Sequence, residues 1–207
     1  METRLDPVVL GISGASGARL GLRALALFAA SIDVGALHAV VTPRAVLVAR
    51  HEVDASLDSP SAYLALALAG DEASRAKVVL HDDAALDAPI ASGSFRSVGM
   101  AVLPCSGGTL GAIAHGISRG LLERAADVCL KERRRLVLGL RETPLSLVHA
   151  ENILAVTRAG AIVAPPVPAF YAAHTAEELL DAYLVRVADL LGVRLPLNDD
   201  YRWKGKT

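Results

Sequence analysis

Aromatic side chains are scarce in this chain, at 4% of 207 residues. Single-stranded nucleic acids are usually held on stacked aromatics, so a base-binding platform is not expected. Charge of one sign is missing too: 21 Lys and Arg face 22 Asp and Glu, for a net charge of −1. That balance argues against a nucleic-acid partner. Only two cysteines are present, Cys105 and Cys129, at no metal-like spacing. They fit reduced thiols in a cytoplasmic setting. No apolar run is long enough to span a bilayer. The opening METRLDPVVLGISG has no signal-peptide hydrophobic region before its first glycine. Internal repeats and low-complexity segments are also missing.

Apolar residues are plentiful, at 53%, and are mostly Ala, Leu and Val. Such an excess suits helices buried on more than one face, hence contacts between subunits as well as a core. The length suits one α/β domain. Apolar runs predict buried strands at 8–12, 37–42, 99–103, 136–140 and 161–164, with an edge strand at 78–81. Helices are expected at 19–30, 43–50, 110–117 and 147–158, the last stopped by Gly160. Another starts at Thr175, whose capping box is completed by Glu178, and ends near Gly192. Residues 54–74 read as a loop with one short helix. Residues 193–207 read as a tail, with Tyr201, Arg202 and Trp203, that packs on a neighbouring subunit.

Two strand-turn-helix junctions carry chemistry. Ser13-Gly14-Ala15-Ser16-Gly17-Ala18 follows the first strand, where small residues let an anion approach first-turn amides and the Ser16 hydroxyl. The spacing is not GxGxxG, and there is no GK[ST] of a nucleotide P-loop. Pro104-Cys105-Ser106-Gly107-Gly108-Thr109 forms the second junction, suited to a flavin edge or a phosphate. Cys105 has no activating partner in view and reads as a packed side chain; His115 reads as structural. Asp82, Asp83 and Asp87 read as a solvated loop, and no metal is assigned.

The centre of the chain is RAADVCLKERRRLVLGLRETP, 124–144. Its residues favour helix through Arg134. Arg124 and Lys131 fall on one face, and Asp127–Lys131 is a favourable i,i+4 pair. A plain salt-bridged surface helix is the competing reading. The strand that follows ends at Arg141 and Glu142, where an α/β sheet places ligands. Taken alone, Glu52 is an ordinary surface acid.

These segments resemble the UbiX-type flavin prenyltransferases, within the homo-oligomeric flavin-containing cysteine-decarboxylase-like proteins. The likeness lies in GISGASGA (11–18), ASGS (91–94), PCSGGTL (104–110), the stretch from Ile117 to Leu145, and GAIVAPPVPAFY (160–171). It implies a Rossmann-like, flavodoxin-like domain with a mostly parallel sheet flanked by helices. It also implies transfer of a dimethylallyl group from dimethylallyl phosphate to N5 and C6 of reduced FMN, without metal. The product, prenylated FMN, would serve UbiD-type decarboxylases. By the same resemblance, Gly14, Ala15, Ser16, Thr42, Ser106, Gly107, Gly108, Thr109 and Arg141 would hold FMN. Glu52, Lys131, Glu142, Tyr171 and Arg186 would line the prenyl phosphate pocket, with Arg124 close by and Lys131 often lent by a neighbouring subunit. A dodecamer is implied. Departures are Pro43 in place of a common lysine, and Ala172-Ala173 after Tyr171 with one residue fewer, which bears on the Arg186 match.

Chemically, Lys131, Arg124 and Arg186 would stabilise the departing phosphate. Tyr171 would shield the allylic cation from water. Glu142 is the first candidate for base, ahead of the released phosphate, with Ser16 and Glu52 beside the reaction. Two other readings compete: an FMN-dependent decarboxylase of peptidyl or pantothenoyl cysteine, and a non-catalytic flavin carrier. The first should show a PASANT-like segment, where ASGS stands.

Overall fold

The computed structural model describes residues 5–167, 169–171, 175–197 and 201. Among the described residues, six parallel strands form one sheet in the order β3-β2-β1-β4-β5-β6. They are β1 (Val8–Ile12), β2 (Leu37–Val41), β3 (Val78–His81), β4 (Gly99–Cys105), β5 (Arg135–Leu140) and β6 (Ile162–Val163). The strand order reverses between β1 and β4, the position at which such sheets open a crevice beyond their carboxyl ends.

Alternating side chains feed two cores. Val8, Leu10 and Ile12 pack with α1 (Ala18–Ala30), α2 (Pro43–Glu52), α3 (Pro60–Ala67) and α8 (Ala176–Leu191). Val9, Met100, Val102, Leu136 and Leu138 pack with α5 (Gly107–Ala114), α6 (Leu121–Lys131) and α7 (Leu147–Ala159). A strand buried on both faces needs an unbroken apolar run, which VVLGI and LVLGL supply. The bidentate Arg23–Asp181 pair, at 2.7 and 2.8 Å, ties α1 to α8. Among the described residues no helix is long and apolar enough to cross a membrane.

The expected elements are present, with shifts. Residues 54–74 hold α3 and most of a second short helix, α4 (Glu72–Arg75), in place of one. The central helix stops at Lys131, not Arg134. Arg133 takes the left-handed conformation at φ 58°, its amide donates to the Leu130 carbonyl, and the Arg134 amide donates to that of Cys129. This is a Schellman ending built on arginine where glycine is usual. The chain must reverse there, because β5 begins at Arg135. The capping box of Thr175 with Glu178 and the stop at Gly160 form as expected. Val193 is buried against the chain's own core, with Leu195 and Leu197 partly so. Arg202 and Trp203 lie outside the described residues.

Candidate active site

The carboxyl ends of β1, β2, β4 and β5 meet at one rim. Buried Ser13 donates its hydroxyl to the Pro104 carbonyl (3.0 Å) and accepts from the Ser106 amide (2.8 Å), joining the two small-residue turns. Thr42 caps α2: its Oγ1 donates to the Ile12 carbonyl and accepts from the Ala45 amide, both at 3.2 Å. Ser106 caps α5 in the same manner, accepting from the Thr109 amide at 3.2 Å. The Arg141 amide donates to the Cys105 carbonyl (3.0 Å), so Arg141 and Glu142 leave β5 at this rim.

The first helix does not leave its N-terminus open. Glu52, at the end of α2, accepts from the amides of Gly17 (2.9 Å) and Ala18 (2.8 Å). A carboxylate is the favoured partner of these orphan donors and of the helix dipole. Burial pushes the Glu52 carboxyl up. The hydrogen bonds from Ser16, Ala18 and Gly17, with the Arg141 charge, outweigh that and hold it below its ordinary range. Two amides expected to face a bound anion are therefore already engaged. In return, Ser16, Glu52 and Arg141 lie together.

A cleft of about 250 Å³ opens on the other side of the first turn. Ser13, Gly14 and Thr42 line it from β1 and β2, Ser106 and Thr109 from α5. Arg44, Asp83, Arg119 and Glu123 complete its walls. Glycine is required at position 14, where a Cβ would lie 2.5 Å from the Arg44 Cβ. Beneath the rim, burial pushes the Cys105 thiol up to about 12, with Glu123 adding to the shift. Cys105 is thus an inert packed side chain.

Residues 2–188 match the family model described as Flavoprotein. The chain is 42% identical over 200 residues to a probable UbiX-like flavin prenyltransferase of Bacillus subtilis (strain 168), covering 96% of this chain and 89% of the relative. It is 40% identical over 199 residues to the flavin prenyltransferase UbiX of Escherichia coli (strain K12), covering 96% and 98%. The chain belongs to the UbiX-type flavin prenyltransferases. It is a prenyl-transferring enzyme. Its fold superposes on AnUbiX (PadA1), solved with FMN and dimethylallyl pyrophosphate, with a TM-score of 0.84 at 42% identity, over 99% and 100% of the two chains. A dodecameric FMN-dependent UbiX-like decarboxylase from Escherichia coli O157:H7 gives a TM-score of 0.81 at 38% identity, over 96% and 100%.

One subunit does not gather every residue the family resemblance suggests. Lys131 ends α6 just before β5 starts, at the opposite end of the sheet from the rim. The length of β5 puts it roughly 20 Å away. The expected Asp127–Lys131 pair does not form: Asp127 takes Arg124 (2.7 Å), and Lys131 at the end of the helix takes Glu132. Arg124 also donates to the Ala91 carbonyl (3.1 Å). Tyr171 and Arg186 line a second cleft of about 450 Å³, with Pro165, Val167 and Tyr201. Glu142, the first candidate for base, is exposed in the single chain and accepts from the Thr143 amide (3.0 Å). A Cβ on Gly107 would lie 2.9 Å from His149 Nε2 and 3.7 Å from Glu142 Oε2, so both side chains flank the first turn of α5. Gly108 is exposed beside it.

Sequence reasoning missed the cleft walls. Asp83, read as loop, caps α6 by accepting from the Leu122 amide (2.9 Å). Arg119 and Glu123 stand at i,i+4, a spacing that could have flagged them. Nothing local marked Arg44.

Proposed function

We propose that the enzyme joins the dimethylallyl group of dimethylallyl phosphate to N5 and C6 of reduced FMN, yielding prenylated FMN for a UbiD-type decarboxylase. The observation that carries this reading is the cluster of Ser16, Glu52 and Arg141, set between two strand-turn-helix junctions at the switch point of the sheet. FMN would lie along that rim against Gly14, Ala15, Ser16, Thr42, Arg141 and the 106–109 turn, and supplies the nucleophilic ring. Serine 16 and the turns fix its orientation. Glu142, beside Gly107, accepts the proton that must leave C6.

The prenyl half needs a second subunit. Arg186 and Tyr171 lie in a separate cleft, and Lys131 lies at the far end of the sheet. In an oligomer, Lys131, Arg124 and Arg186 would converge on the leaving phosphate and lower the cost of its departure. Tyr171 would wall the cationic allyl group from water and stabilise it through its ring face. Exposed Leu145, Leu147, Val148 and Leu154 around α7 offer the apolar surface such assembly requires. No metal enters the scheme. The test is incubation with reduced FMN and either the mono- or the diphosphate donor, followed by mass spectrometry. A flavin heavier by one prenyl unit is expected. Flavin that binds but stays unmodified with both donors would identify a carrier instead.

A further inference from the structure

We propose that Arg44 and Arg119 form the clasp for the terminal phosphate of FMN, an assignment that rests on the flavin reading above. Glu52 sets the constraint. It occupies the Gly17 and Ala18 amides, so the N-terminus of α1 cannot also receive the phosphate. A dianion at the rim must find other donors. The cleft across the turn contains two arginines among its lining residues, Arg44 from α2 and Arg119 from the turn before α6. Arg44 lies in the first turn of α2, its stem packed against Gly14, and makes no ion pair among the described residues.

Arg119 is held in place from behind. Glu123, 7% exposed, accepts from its backbone amide (2.7 Å), its Nε (3.2 Å) and its Nη2 (2.5 Å). Nη2 also donates to the Gly108 carbonyl at 3.4 Å. That arrangement fixes the plane of the guanidinium while leaving Nη1 for a ligand oxygen. Two carboxylates share the cleft, and both are engaged: Glu123 with Arg119, and Asp83 with the Leu122 amide. The walls therefore carry no net charge, and a phosphate is recognised by directed N–H donors rather than by a general positive field. A planar guanidinium held in one orientation supplies such directed donors, and the compact point charge of lysine does not.

The test compares FMN with riboflavin, which has the same ring and ribityl chain and no phosphate. Binding to the intact oligomer is followed by flavin fluorescence for wild type, Arg44→Gln and Arg119→Gln. Each substitution should weaken FMN by roughly tenfold or more, the scale of one charge-assisted hydrogen bond, and leave riboflavin affinity unchanged. Retained riboflavin binding shows that the variants fold. Arg119→Lys should recover less of the loss than Arg44→Lys, because Arg119 is the one held as a planar fork. Variants that keep the wild-type preference for FMN, or lose both flavins equally, overturn the clasp. A wild-type protein that binds neither flavin overturns the flavin reading itself.

Discussion

Two carboxylates at the rim differ in their surroundings and hence in their use. Glu52 receives several donors and the Arg141 charge, which keep it ionised and hold the first turn. Glu142 has one backbone donor and an open face, and it is the proposed base. Glu142→Gln should therefore keep FMN affinity while slowing transfer by about a hundredfold, the scale of general acid–base catalysis. Single-turnover absorbance traces matching wild type would reject that role. Glu52→Ala should lower stability by about 1 kcal/mol through loss of the helix cap, read as a lower denaturation midpoint. His38 is a residue of stability. Its Nδ1 lies 2.8 Å from His81 Nε2, and Phe95 meets its ring edge-on at 4.8 Å. Burial pushes His38 down to about 4, with His81 adding to the shift, and burial lowers His81 as well. The unfolded chain takes up a proton near 6.5 that the folded one refuses. Stability from His38 is thus full above that pH and falls as pH drops toward 4, by up to about 1.4 kcal/mol per unit, and His81 acts in the same direction. His38→Gln should shrink the difference between urea midpoints at pH 7 and pH 5; an unchanged difference would count against this account.

At the scale of elements, the end of α6 is the informative one. Arg133 stands where glycine would be at ease. Arg133→Gly should raise stability by up to about 1 kcal/mol, the left-handed cost partly offset by added freedom in the unfolded chain. Arg133→Val should lose at least about 1 kcal/mol, since branching at Cβ clashes in that conformation. Melting temperatures in the opposite order would refute the assignment of strain. The same helix shows what a sequence can disclose. The Thr175 box and the Gly160 stop were legible because their partners lie within a few residues. All six strands were legible from apolar runs, with His38 the interruption in β2. The stop at Lys131 was not, because local preference favours helix onward and only the need to enter β5 ends it. Glu52 on Gly17 was invisible for a related reason: the two are 35 residues apart, and only the packing of α1 on α2 brings them together. Arg44 shares that obscurity, whereas Arg119 carried one local sign, its i,i+4 spacing to Glu123, before the fold set both in the lining of one cleft.

For the whole molecule, the proposed division of the site between subunits has a direct consequence. Lys131→Ala and Arg141→Ala proteins, each inactive alone, should regain activity when mixed oligomers form, because some sites then carry both intact residues. Absence of recovery in verified mixed oligomers would place Lys131 outside the site. Leu147→Asp with Val148→Asp should shift the particle to a smaller size by light scattering, and an unchanged size would mean that α7 faces solvent. Helix α2 sets one further quantity. Its first turn carries Arg44 and its last residue is Glu52, eight positions and about 12 Å of rise apart. On the proposed placement of FMN the helix is a gauge: its length would fix the span between the end that grips the phosphate and the end nearest the reacting ring. A ligand with a longer or shorter tether would reach one end and miss the other.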